Sequence, residues 1–116
     1  MYHKRGEIWW ADLEEPRGSE SGYRRPVVIV QSDDFNKSRI GTIIVAVLTS
    51  NLQLGKAPGN VKLQSGKKIG IKRASVINSS QLITLDKSYL SEKIGQISPE
   101  KQLEFDDGLK LVLNLS

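Results

Sequence analysis

The densest run of chemically capable side chains is Arg17-Gly18-Ser19-Glu20-Ser21-Gly22-Tyr23-Arg24-Arg25-Pro26. Its three arginines carry planar forks that match a phosphate, and its two glycines let backbone approach a ligand, a composition suited to holding a nucleic-acid backbone. Glu20 sits among the arginines. A loop that binds by charge alone has no use for a carboxylate, whereas cutting RNA requires a proton acceptor at a 2′-hydroxyl beside a cation at the phosphate. Glu20 can equally be a surface partner of Arg24 or Arg25. A second group, Thr49-Ser50-Asn51, closes an apolar run. Hydroxyl and amide groups at a strand end line the rim of a site, where a threonine can donate to a phosphate oxygen, although threonine is also an ordinary strand residue. Tyr23 is the aromatic best placed to stack on a base.

Net charge supports an anionic partner once it is placed along the chain. The formal charge is +4. Residues 1–35 and 86–116 are each net acidic, whereas residues 36–85 contain Lys37, Arg39, Lys56, Lys62, Lys67, Lys68, Lys72 and Arg73 and no acid. This acid-free span suggests a polyanion, nucleic acid first, and is also what a solvated lysine-rich face looks like. The absence of cysteine excludes disulfides and thiolate zinc sites. A lone His3, expected in an exposed tail, excludes two-histidine acid/base chemistry within one subunit and leaves any metal site to carboxylates. No apolar run approaches the roughly 20 residues of a membrane helix, and the N-terminus does not read as a secretory signal, so a soluble cytoplasmic protein is expected.

The elements that must position these groups are mostly strands. Gly6 to Asp12 alternates, with Ile8 and Trp10 on one side and Trp9 on the other, so at least one tryptophan belongs to the core or to a dimer interface. Residues 13–24 read as a long exposed loop. Pro26 to Gln31 reads as a strand buried on both faces, which Pro26 can open but not occupy in the middle. Ser32 caps a brief helix that ends by Gly41, and Thr42 to Thr49 is a second β-branched strand. Asn51 to Gly59 reads as a loop; Asn60 to Leu63, Ile69 to Ile71, Ser75 to Asn78 and Gln81 to Asp86 read as short strands. Leu90 to Ile97 fits either a helical turn or an edge strand. Ser98-Pro99 opens a terminal helix with Phe105, Leu109, Val112 and Leu113 as its buried stripe. Gly108 within it either admits another backbone or is simply tolerated at up to ~1 kcal/mol. The length allows one core, so a single domain over residues 1–116 is expected: mainly β with helices, a small, partly closed antiparallel barrel with a C-terminal helix.

Arg5-Gly6-Glu7-Ile8-Trp9-Trp10-Ala11-Asp12-Leu13, with Gly18-Ser19-Glu20 and Gly22-Tyr23-Arg24-Arg25-Pro26-Val27-Val28-Ile29-Val30-Gln31, resembles the MazF/PemK family of toxin endoribonucleases. The likeness continues through Leu48-Thr49-Ser50-Asn51, Pro58-Gly59-Asn60-Val61, Ser75-Val76-Ile77-Asn78 and Gln81-Leu82-Ile83-Thr84-Leu85-Asp86-Lys87 into the terminal helix, covering essentially the whole chain. The resemblance implies an SH3-like barrel acting as a homodimer. It also implies metal-independent, sequence-selective cleavage of single-stranded RNA, chiefly mRNA, no cofactor, and restraint by a cognate antitoxin with an acidic disordered tail. By the same resemblance Arg25, Thr49 and Glu20 are the catalytic positions. The implied reaction is attack of a 2′-hydroxyl on the adjacent phosphorus, leaving a 2′,3′-cyclic phosphate and a 5′-hydroxyl. Ser19, Tyr23, Arg24, Ser50, Asn51, Lys56, Lys72 and Gln81 are the expected RNA contacts.

Two features depart from the family pattern. Some members have an acid directly before the glutamine aligned with Gln81, where Ser80 stands here, and some have a histidine in the first loop, which this loop lacks. Glu20 is then the carboxylate left to act as base. The alternatives are a gyrase-poisoning toxin of the same fold and a non-catalytic RNA-binding barrel; the Gly-Tyr-Arg-Arg-Pro loop and the basic span favour RNA cutting.

Overall fold

A computed structural model describes residues 2–13 and 23–116. Among these residues six strands form one antiparallel sheet in the order β4-β5-β3-β2-β1-β6. They are β1 (Glu7–Asp12), β2 (Arg24–Ile29), β3 (Thr42–Thr49), β4 (Val61–Leu63), β5 (Ser75–Asp86) and β6 (Leu90–Gln96); the helices are α1 (Asp33–Asn36) and α2 (Pro99–Leu113). The fold is the mainly β, curled antiparallel architecture with a terminal helix expected from periodicity. Among the described residues no helix is long and apolar enough to cross a membrane.

Both faces of the central strands are buried, which explains their unbroken β-branched sequences. Ile8, Val28, Ala46 and Leu48 join Phe105 and Leu109 of α2 in one core. Ala11, Val27, Ile29, Val45 and Val47 form a second core on the opposite face, with Trp9 packed against it. His3 is half-buried rather than exposed, its ring set edge-on to Trp9 at 4.4 Å. Desolvation lowers its pKa, against the opposing pull of Glu7.

Several elements depart from the sequence reading. The two strands expected at Ser75 to Asn78 and Gln81 to Asp86 are one strand: pairing with β3 shifts between Ala46 and Val47, so residues 79–81 fall in a bulge within it. Asn60 pins that bulge by accepting from the Ser79 N–H at 2.9 Å, and the Ser79 hydroxyl donates to the Gly59 carbonyl at 2.7 Å. Residues 69–71 are not a strand. They form a turn against β6, where Gly70 and Gly95 pass so closely that a Cβ on either would collide with the other segment's backbone. β6 is therefore an edge strand, with β1 on one side and this turn closing the other. Leu52–Lys56 is a 3₁₀ turn inside the expected loop. On α2, Phe105, Gly108 and Leu109 are buried, whereas Leu113 is half exposed.

The Arg5-Gly6-Glu7 segment is a junction. Arg5 donates from its backbone to Asp33 (2.7 Å) and from Nε to the Val30 carbonyl (2.7 Å), and pairs with Asp106 of α2 (2.8 Å). The buried Glu7 carboxylate accepts from the Lys4 N–H (2.9 Å) and Trp9 Nε1 (3.0 Å), and meets Lys93 Nζ of β6 at 3.0 Å. Burial raises its pKa, but these donors together outweigh desolvation and leave it below its ordinary value of 4.5. A depressed folded pKa stabilises the fold above the unfolded value and loses that stabilisation as pH falls through the folded one. Thermal melts taken as the pH falls from 6 towards 2 should therefore cost the wild type more Tm than Glu7→Gln; parallel curves would contradict the assignment. Gly108 faces Gly59 of the β4 approach so closely that a Cβ would overlap the Gly59 carbonyl. Gly108→Ala should then destabilise the protein by about 1–2 kcal/mol net in urea titration, despite a helix-propensity gain of up to ~1 kcal/mol.

Candidate active site

Pro26 sits third in β2, paired with Trp10 of β1, and not at the strand's start. A missing N–H is tolerated there because of which neighbour it faces. The register with β3 pairs Val28 with Ala46 and Val27 with Val47. Continued outward, it sets residue 26 opposite Leu48 and residue 25 level with Thr49. The Val30 N–H donates to the Ile44 carbonyl at 3.0 Å. Even-numbered residues of β2 thus turn their hydrogen-bonding groups towards β3, and an N–H at 26 would point at the Leu48 carbonyl. Proline supplies none. Arg25 Nη2 takes that carbonyl instead, at 3.3 Å.

The anchored guanidinium lies in a cleft of about 980 Å³ at the head of β2 and the end of β3. Arg24, Arg25, Thr49, Ser50, Asn51 and Lys72 line it together with Trp10, Arg73, Glu92 and Lys93. Thr49 is shaped by a local turn: its Oγ1 accepts from the Asn51 N–H at 3.1 Å, which leaves its own hydroxyl proton to donate. Asn51 caps the following 3₁₀ turn through Oδ1 to the Gln53 N–H at 3.2 Å. Arg25 and Thr49 thus offer a cation and a hydroxyl donor on adjacent strands, an arrangement able to receive a phosphate.

Tyr23, Lys56 and Gln81 do not line the cleft. Tyr23 is exposed in a left-handed backbone conformation before β2, Lys56 lies in the 3₁₀ turn, and Gln81 is at the β5 bulge, where it accepts from Asn78 Nδ2. Ser19 and Glu20 lie outside the described residues. Nor do the eight cations of residues 36–85 form one bed: Lys72 and Arg73 line the cleft, whereas Lys37 and Arg39 flank the Thr42 end of β3, roughly 23 Å away along the strand. Lys37 there sits over the Tyr2 ring at 5.4 Å.

Trp10, Arg73, Glu92 and Lys93 are cleft residues that the sequence did not single out as contacts. Trp10 is the cleft wall under Arg24, whose guanidinium lies 4.7 Å over the indole. Glu92 and Lys93 come from β6, and only the pairing of Glu92 with Trp10 and Lys93 with Trp9 brings them here. Alternation in β6 was too weak to reveal it.

Comparison with known proteins is consistent along the whole chain. Residues 4–113 match the family described as PemK-like, MazF-like toxin of type II toxin–antitoxin system. Endoribonuclease MazF2 of Mycobacterium bovis is 44% identical over 115 residues, spanning 99% of this chain and 100% of the relative. Endoribonuclease MazF6 of Mycobacterium tuberculosis matches with the same identity and coverage. The fold is shared with MazF from Deinococcus radiodurans (TM-score 0.80, 20% identity, 99% of both chains). It is shared too with an endoribonuclease in complex with its cognate antitoxin from a mycobacterial species (TM-score 0.78, 19% identity, 97% of this chain and 96% of that chain).

The open slot at Leu48 can be tested directly. In Pro26→Ala the new amide at residue 26 should be protected from hydrogen exchange, and Arg25 should leave the Leu48 carbonyl; an unprotected amide would mean that the ladder has no vacant acceptor there.

Proposed function

The chain belongs to the PemK-like, MazF-like toxins of type II toxin–antitoxin systems, and from that premise we propose that it is an endoribonuclease toxin that cuts single-stranded mRNA at selected sequences without a metal. The observation that carries this reading is that Arg25, its guanidinium anchored on the Leu48 carbonyl, and Thr49 line one cleft, which also gathers Arg24, Lys72 and Arg73.

The chemistry follows from those groups. The substrate's 2′-oxygen attacks the adjacent phosphorus, a P–O2′ bond forms, and the P–O5′ bond breaks, the departing 5′-oxygen taking its proton from water, to leave a 2′,3′-cyclic phosphate and a 5′-hydroxyl. Charge builds on the non-bridging oxygens of the phosphorane, where Arg25 acts as a preorganised electrostatic partner and Thr49 as an orienting donor. A guanidinium holds its proton too tightly to be a useful acid near neutrality, so the role of Arg25 is charge rather than proton delivery. Glu20 takes the proton from the 2′-hydroxyl. Arg24, Ser50, Asn51 and Lys72 hold the flanking backbone, with Ser19, Tyr23, Lys56 and Gln81 as outer contacts.

The 116 residues act as one toxin domain, working as a homodimer in the cytoplasm. A cognate antitoxin restrains it, as the complex of the mycobacterial endoribonuclease with its own antitoxin supports. An acidic antitoxin tail would occupy the cationic cleft in place of RNA.

The test is incubation with a long RNA in EDTA. Discrete fragments with cyclic phosphate ends are expected, with Arg25→Ala slowed about 100-fold or more. Binding without cutting, or an Arg25→Ala rate within a few-fold of wild type, would overturn the reading.

A further inference from the structure

An RNA backbone explains the cations of the cleft and does not explain Glu92. A carboxylate beside a polyanion weakens binding unless it meets hydrogen-bond donors. Lys93, next in sequence, does not neutralise it, since its ammonium is held by Glu7 on the other face of β6. Glu92 instead stands directly across from Trp10, and its Oε2 meets Arg24 Nη2 at 3.3 Å. The central carbon of the Arg24 guanidinium lies at the same time over the indole, 4.7 Å from the ring centre. Indole, guanidinium and carboxylate thus form one row across β1, β2 and β6. Both Arg24 and Glu92 keep more than half of their side-chain surface open to solvent. Among the described residues Glu92 Oε1 has no partner.

We propose that this row is a base-reading subsite, in which an unstacked nucleobase of the RNA lies on the outer face of the Arg24 guanidinium and donates its exocyclic amino group to Glu92. The inference rests on the reading of the cleft as an RNA-cutting site. Arginine planes and aromatic rings are the usual platforms for splayed bases in single-stranded RNA, and the Trp10 backing removes the freedom that a long side chain would otherwise lose on stacking. The carboxylate is an acceptor only, so it discriminates by donor pattern. Adenine, cytosine and guanine each carry an amino group; uracil does not, and its one donor on that edge, N3–H, is flanked by two carbonyl oxygens that would repel the carboxylate. The subsite therefore selects against uracil at one position near the cut.

Cleavage-end sequencing on a randomised RNA pool tests this with wild type, Glu92→Gln and Arg24→Ala. Wild type should disfavour uracil at one fixed position by about tenfold or more. Glu92→Gln, whose amide can turn either a donor or an acceptor towards the base, should bring that position to within about threefold while preferences elsewhere persist, and Arg24→Ala should weaken the same position. A wild type that cuts with no such position, or a Glu92→Gln profile superimposable on wild type, overturns the subsite. A wild type that does not cut at all overturns the RNA-cutting reading instead.

Discussion

One missing hydrogen organises the candidate site. The ladder between β2 and β3 is regular until it reaches Pro26, which has no N–H for the Leu48 carbonyl. A buried or half-buried carbonyl without a donor costs free energy, and Arg25 supplies the donor from its side chain. A residue that would otherwise wave at a strand end is thereby tethered at its guanidinium beside Thr49. The Arg-Pro pair is in this sense a single device, in which the proline vacates an acceptor and the arginine before it is held by that acceptor in a position to meet a phosphate.

The remaining framework fixes the walls around this point. Glu7 ties β1 to β6 through Lys93, which sets Trp10 and Glu92 opposite one another on the other face of the same pair of strands. Close backbone approach of Gly70 and Gly95 brings the turn that carries Lys72 and Arg73 over the β6 edge. Arg5 joins the N-terminal segment to α1, β2 and α2 at once, so the sheet cannot splay without breaking buried or half-buried polar contacts. The cleft is therefore a by-product of closing the sheet, and its cations come from strands and a turn brought together by that closure rather than from one basic stretch.

Much of this was legible in the sequence, for identifiable reasons. Val27 to Val30 and Thr42 to Thr49 are apolar on both faces and could only be central strands, and Ser98-Pro99 marked the start of α2 correctly because capping is local chemistry. Gly108 was read as either tolerated or a close-contact site, and the Gly59 carbonyl decides for contact. What failed was whatever depends on pairing. The strands that the sequence divides at Ser79-Ser80 are joined by a bulge, which local composition does not distinguish from a break, and residues 69–71 read as a strand although they cap an edge. Pro26 was misplaced because proline's cost depends on which neighbour its nitrogen faces. The acid-free span suggested one basic surface, yet β3 carries its two ends apart.

The central claim is that the acceptor left open by Pro26 holds Arg25 where the phosphorane forms. Single-turnover cleavage at saturating RNA by Pro26→Ala, compared with wild type, tests it most directly. If the alanine amide reclaims the Leu48 carbonyl, the rate should fall about tenfold or more while Kd for the RNA and the Tm stay close to wild type. An unchanged rate in a variant whose residue 26 amide is protected from exchange would contradict the account.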